Sequence, residues 1–372
     1  MEYIETESGL QAVVSGLDGV QLLAVDTEAA GYHRYRDDVC LLQMSTVERT
    51  WVVDTLALEG LEPLRTILAD PGVEIILHDA DYDLRLLDRD YQLRVGNLFD
   101  TKVAARFLGE TAFGLQALLE RFLDVRVAKK YQRADWARRP LPADMLEYAA
   151  EDTRHLPRLR DVLKEALVAR DRLRWAEEEF RLIEQVAWED GADQEDAFLK
   201  VKGTRDLGPR QLAVLRAAYA WREEEARRRD AAPFRVLSND AMVNLARAMP
   251  GKPPELARTP GVPGRLGGQE GEPLARALAG ARELPEEELP VRPQPTRRPP
   301  PDPAVDARAD RLRKVRDERA QALGLERGFL MPRHQLELLA REEPRTLEAL
   351  SAVAGVRRWQ VEALGDGLLA AM

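Results

Sequence analysis

Leu22-Leu23-Ala24-Val25-Asp26-Thr27-Glu28 is the stretch on which the reading of this 372-residue chain turns. Its four leading apolar residues predict a short buried strand that ends at Asp26. Side chains alternate along a strand, so Asp26 and Glu28 point the same way and one strand end offers two carboxylates. Outward from it, residues 38 to 45 and 50 to 56 read as further strands with short turns, and LEPLRTILAD (61–70) reads as an amphipathic helix. EIILH (74–78) is another strand and leads directly into a helix that carries Asp83; a strand near Leu98 to Thr101 and helices over 101 to 124 follow. The first half is thus α/β, a mixed sheet flanked by helices.

Three more residues extend the acidic theme. Asp83 lies in HDADYDLRLL (78–87), and Tyr148 and Asp152 lie in EYAAEDTRHL (147–156). The second segment has helical periodicity, and residues four apart share a helix face, which sets a phenol beside a carboxylate. Carboxylates are oxygen donors suited to Mg²⁺ or Mn²⁺, and one such ion rarely needs more than one or two of them. Four therefore point to a two-metal site, and such sites mostly cut phosphodiester bonds. Asp79 sits one turn before Asp83, so spacing alone leaves it open as a ligand. His78, at a strand-to-helix junction, reads as a hydrogen-bonded structural residue before it reads as a ligand.

Taken in order, Asp26-x-Glu28, His78-x-Ala80-x-x-Asp83 and Tyr148-x-x-x-Asp152 resemble the DEDD 3′→5′ exonucleases, in the subgroup whose third motif carries tyrosine. CLLQMS (40–45), Asp100-Thr101 and QRADWARRPL (132–141) narrow the likeness to the ribonuclease D family, over roughly the first half of the chain. The resemblance implies a ribonuclease H-like fold and two divalent ions about 4 Å apart across the scissile phosphate. It implies that Asp26 bridges both ions, that Glu28 and Asp152 hold the one activating water, and that Asp83 rather than Asp79 lies toward the second. It places Tyr148 beside the attacking water, which it orients, because a phenol with a pKa near 10 is a poor base at neutral pH. Nucleoside 5′-monophosphates released from RNA with a free 3′ end are the implied products, with tRNA precursors or other small structured RNAs as substrates. Asp100 matches a structural family position and is expected to cap the following helix. His155 lies on the wrong side of Asp152 to replace the histidine of the other DEDD subgroup. Trp136 is either a base-stacking platform or a core residue. Where many family members have an aromatic residue after the Asp-x-Glu pair, this chain has Ala29 and Ala30. His33, Arg34 and Tyr35 are then candidates for contact with the terminal nucleotide, a polar turn being the alternative.

Helical patterning runs from about Pro142 to Glu189, and Pro157 removes the hydrogen bond to the carbonyl of Thr153, which predicts a bend there. Strand patterns disappear from about 195. LGPRQLAVLRAAYAWREEEARRRD (207–230) reads as an amphipathic helix, with shorter helices at 238 to 248 and 253 to 259. Residues 286 to 303, dense in proline and ending in RRPPPDP, read as a stiff extended linker. Beyond it the helical theme repeats, most clearly in LEALSAVAGVRRWQVEALG. The two helical segments resemble HRDC domains. The expected division is an exonuclease domain over 1 to 190, a first HRDC-like domain over 195 to 285, the linker, and a second HRDC-like domain over 304 to 372.

The net charge is −10, from 55 basic and 65 acidic residues. Phosphate contacts depend on the local field, and basic clusters occur at Lys129, Lys130, Arg133, Arg138 and Arg139, at Arg227 to Arg229, and at Arg311 to Arg319. Solvated helix faces are the alternative reading of each run. One cysteine, Cys40, excludes an intrachain disulfide framework. MEYIETESGL lacks the pattern of a signal peptide and no run approaches a membrane span, which predicts a cytoplasmic protein; a monomer is expected, since appended helical domains can substitute for a partner surface. Two alternatives stay open: a 3′→5′ DNA exonuclease, because nothing obvious reports a contact to the 2′-hydroxyl, and a non-catalytic nucleic-acid-binding scaffold. The oxygen ligands do not separate Mg²⁺ from Mn²⁺.

Overall fold

The computed structural model describes residues 1–127, 130–189, 196–292 and 302–372. Leu22–Ala29 (β2), Val39–Ser45 (β3) and Thr50–Asp54 (β4) form an antiparallel meander. Every residue of β3 and β4 is buried, which is why both read as near-continuous apolar runs. On the other side of β2, Glu74–Leu77 (β5) and then Leu98–Asp100 (β6) add in parallel, giving a mixed six-stranded sheet in the order β1-β4-β3-β2-β5-β6. The edge strand β1, Glu2–Ile4, is not legible in the sequence: it has three residues, and the Tyr3 hydroxyl, which donates to Asp54, holds it beside β4.

Helices cover both faces. Asp81–Tyr91 (α3) follows β5, and Thr101–Phe107 (α4) follows β6. Ala143–Arg154 (α6) lies over β3, with Ala149 and Ala150 buried and the Thr153 hydroxyl 2.8 Å from that of Ser45. The bend expected at Pro157 is a full break. Helix α6 ends at Arg154, and Leu156–Ala169 (α7) restarts with Pro157 in its first turn, where a missing N–H costs nothing.

The helical half divides in two. Pro209–Arg229 (α9) packs on Asn239–Ala248 (α11) and Glu272–Glu283 (α13) around a core of its own that includes Leu212, Leu215, Leu245 and Leu278. Of the expected linker, residues 293–301 lie outside the described residues, and Pro303 already opens Pro303–Leu323 (α14), capped by the Asp302 side chain. From α14 to Arg358–Ala370 (α18) the buried residues join the core of the sheet unit. Phe107, Trp175, Phe329 and Trp359 form one aromatic cluster with ring centroids 4.7–6.4 Å apart. Around it the Trp359 indole donates to Glu179 at 2.7 Å, and Arg172 donates at 2.6 Å to the carbonyls of both Phe107 and Leu323.

Most arginines of the anticipated basic faces have structural partners. Arg228 and Arg229 pair with Glu225, and Arg227 donates to the Tyr35 hydroxyl at 2.9 Å. Arg311, Arg316 and Arg319 donate to the carbonyls of Ala371, Met331 and Ala363. Arg139 makes a bidentate pair with Asp54, while Lys129 lies outside the described residues. Among the described residues no helix is long and apolar enough to cross a membrane.

Trp359 is 2% exposed at the junction of the sheet unit and the last helices. Trp359→Ala should cost about 3–5 kcal/mol, the range for deleting a large buried aromatic. Urea unfolding checks it, and an unchanged midpoint would show that the junction contributes no stability.

Candidate active site

Strand β2 delivers Asp26 and Glu28 to the carboxyl end of the sheet, beside the end of β5, the place where open α/β sheets bind ligands. Its pairing with β3 shifts register between Glu28 and Ala29, so Cys40 is passed over. Such bulges re-aim side chains next to active sites. Asp83 comes from the first turn of α3 and is 7% exposed; the Thr27 hydroxyl donates to it. Asp152 and Tyr148 come from the face of α6 turned toward β2. The structure therefore gathers all five residues singled out by the motifs, from three separate parts of the chain.

The carboxylates are sunk among protein atoms, yet wetted from a cleft of about 680 Å³ lined by Asp26, Thr27, Glu28, His78, Gly114, Gln116, Gln132, Tyr148 and Asp152. Burial pushes Asp26 well above the usual carboxylate range, and Asp83, Asp152 and Glu28 add repulsion. Glu28 is raised in the same way, by burial and then by Asp152 and Asp83. Burial lifts Asp83 to about 7 although the Thr27 hydroxyl opposes it, and Asp152 reaches about 7 through burial and Glu151. Among the described residues no cationic side chain offsets these charges. Nor are any three Asp, Glu, His or Cys side chains drawn close enough to form a ready coordination shell. Four buried oxygen donors lacking a cationic partner are a donor set that fits hard divalent ions.

The neighbours separate structural from functional readings. Asp79 has φ +67°, faces solvent and pairs with Lys102, outside the cleft. Asp100 accepts the amides of Asp79, Ala80, Lys102 and Val103, fixing both the turn before α3 and the start of α4. His78 lines the cleft with Nδ1 2.9 Å from the Thr101 hydroxyl, and burial depresses it to about 4, so it is neutral at physiological pH. His155 bonds Glu151 at 3.1 Å. Trp136 is 2% exposed and stacks on Tyr148 at 6.2 Å with the rings 26° apart, so it backs the site and is closed to a nucleotide base. Tyr131 meets the same phenol edge-on at 5.7 Å. Burial and the nearby Asp152, Glu28 and Asp26 raise the Tyr148 phenol, which keeps its proton.

His33, Arg34 and Tyr35 do not reach the cleft, contrary to one of the two readings of that loop. His33 Nε2 lies 2.9 Å from the Arg133 carbonyl, Arg34 bridges Asp135 and Asp230, and Tyr35 sits under Arg227. The loop docks the first helical unit. Thr27, Tyr131 and Gln132 belong to the site without having been named as site residues. Thr27 stands between the two named acids, Gln132 opens the quoted QRADWARRPL segment and Tyr131 immediately precedes it, so position was the available signal.

Family models match residues 1–168 as a 3′-5′ exonuclease and residues 211–278 and 305–372 as HRDC domains. Ribonuclease D of Pseudomonas paraeruginosa is 32% identical, over 94% of this chain and 92% of that protein. The crystal structure of Escherichia coli RNase D, described as an exoribonuclease involved in structured RNA processing, aligns over 99% of this chain and 97% of that one, with a TM-score of 0.71 and 26% identity. A protein from Bifidobacterium adolescentis aligns over 100% and 96%, with a TM-score of 0.83 and 26% identity. With a mixed-sheet exonuclease unit, two HRDC segments and this level of identity along almost its full length, the chain belongs to the ribonuclease D family of 3′→5′ exoribonucleases.

Proposed function

We propose that Asp26, Glu28, Asp83 and Asp152 hold two divalent cations, Mg²⁺ or Mn²⁺, and with Tyr148 form the centre at which this exoribonuclease hydrolyses the last phosphodiester of an RNA 3′ end. The observation that carries the reading is a cleft lined by Asp26, Glu28 and Asp152, with Asp83 buried against the lining residue Thr27 and, among the described residues, no cationic side chain to balance the four carboxylates. Bound there, the cations would supply electrostatic stabilisation to the attacking and leaving oxygens. Asp26 is repelled by Asp83, Asp152 and Glu28 alike, which suits a carboxylate that both ions would share. Tyr148 keeps its proton and is braced by Trp136 and Tyr131, so its hydroxyl donates and orients instead of accepting a proton. Attack by water at the terminal phosphate breaks the bond to the 3′-oxygen of the preceding nucleotide and releases a nucleoside 5′-monophosphate. We place the chemistry in residues 1 to about 190, the substrate among small structured RNAs such as tRNA precursors, and the protein in the cytoplasm as a monomer whose appended helices cover the catalytic unit.

Asp26→Asn, Glu28→Gln, Asp83→Asn and Asp152→Asn should each nearly abolish release of monophosphate from a labelled RNA while leaving circular dichroism unchanged. Asp79→Asn should remain active, and the reverse pattern at Asp79 and Asp83 would reassign the ligand. Tyr148→Phe keeps the ring against Trp136 and should lower single-turnover cleavage about 100-fold, the order for one positioned transition-state contact; unchanged cleavage removes the hydroxyl from the mechanism.

The raised carboxyls also predict a signature in stability. An unfolded aspartate titrates near 3.9, whereas Asp83 and Asp152 titrate at about 7 in the fold. The native state holds these protons more tightly, so in chelator stability should fall as pH rises from about 4 to about 7. Asp152→Asn should then melt a few degrees above wild type near pH 8, lose that advantage near pH 5, and gain less from added Mg²⁺. Parallel melting curves across this range would contradict the electrostatic account of the site.

A further inference from the structure

Gln43 is the most anomalous polar side chain beside the site. It lies in the middle of β3, is 0% exposed, and neither its Nε2 nor its Oε1 has a hydrogen-bond partner among the described residues. Its polar neighbours are satisfied: Ser45 bonds Thr50 at 2.9 Å and Thr153 at 2.8 Å, and Thr55 bonds the Val39 carbonyl at 2.6 Å. Leucine or methionine occupies the adjacent positions 41, 42 and 44, and an apolar residue at 43 would avoid burying an unsatisfied amide.

The register shows what the amide is near. Gln43 is the cross-strand partner of Asp26 on one side and of Val52 on the other. Directly opposed residues of an antiparallel pair project from the same face with Cβ atoms about 4.5–5.5 Å apart. A glutamine side chain spans that gap to a carboxylate. We propose that Gln43 is a positioning residue: its amide, unpartnered among the described residues, is placed across the strand pair to donate from Nε2 to the Asp26 carboxylate when the site holds its cations, and so to set the rotamer of Asp26. The inference rests on the two-cation reading of the site. A neutral donor suits this place, because a lysine or arginine would neutralise the carboxylate that the cations need. Groups that orient metal-holding carboxylates act in this way, and losing one typically lowers metal affinity or activity about 10- to 100-fold.

Gln43→Met keeps the length of the side chain and removes both amide atoms, and Gln43→Leu is a second variant should methionine pack poorly. In chelator the melting temperature of at least one of them should equal or exceed that of wild type. Calorimetric titration of the full chain with Mn²⁺ should show affinity reduced about tenfold or more, with kcat falling alongside. A plain core residue gives the opposite pattern, a lower melting temperature in chelator with Mn²⁺ affinity unchanged, and that result overturns the proposal. So does a variant unaltered in both measurements. Failure of the underlying reading is distinguishable because it appears in the wild-type arm: Mn²⁺ would give no binding heat and RNA would be cut in chelator.

Discussion

Holding four carboxylates within reach of one another, without a cationic side chain among them, is the constraint that organises this protein. Each charge raises the proton affinity of the others, so the catalytic end of the sheet works against folding at neutral pH. The surrounding structure has to be stiff enough to resist. It is: β3 and β4 are buried along their whole length, and α6 is held to β3 by the Ser45–Thr153 hydroxyl contact and by Ala149 and Ala150. A site whose parts come from β2, α3 and α6 can keep a fixed shape only if those elements share one rigid floor.

The phenol shows how far that support extends. Trp136 and Tyr131 brace Tyr148, and the segment that carries them is anchored by Arg139. Its guanidinium bonds the carbonyls of Trp136 and Cys40 and clasps Asp54 in bidentate fashion. Burial would push Asp54 up, but Arg139 and the Tyr3 hydroxyl hold it below the usual carboxylate range. A chain of contacts thus joins the edge strand at residue 3 to the phenol at 148. An arginine that reads as a phosphate contact in the sequence is a structural clamp.

Strands β2 to β6 were legible because apolar runs and the acidic residues at their ends leave period-2 and length signals, and α6 because Tyr148, Ala149 and Asp152 follow a helical period. Strand β1 was hidden because three residues carry no pattern. The ambiguity between Asp79 and Asp83 was physical as well, since both lie on one helical spacing. What separates them is the left-handed backbone at Asp79, which starts the turn before α3 and sends its side chain to Lys102. Trp136 stayed ambiguous because burial depends on α6 lying over it, a long-range fact. The union of the last helices with the sheet unit was also invisible, because a proline-rich stretch reads as a spacer whatever its two ends do.

The arginine count reads differently once partners are known. Guanidinium groups at 172, 311 and 316 donate to backbone carbonyls at or just beyond helix ends, where acceptors are left unpaired, and Arg319 donates to the carbonyl of Ala363 within α18. These contacts fix the side chains but leave their charge in place, since a carbonyl is neutral. Arg133 and Arg138 are exposed, but the floor of the cleft is acidic, and a phosphodiester carries negative charge of its own. An anionic substrate meets repulsion from such a floor, and a bound divalent ion, as the largest local charge, would reverse the sign of that field. Under the proposed function, cations bound there would offset the repulsion between the acidic floor and the phosphodiester of an RNA 3′ end as well as serve the chemistry.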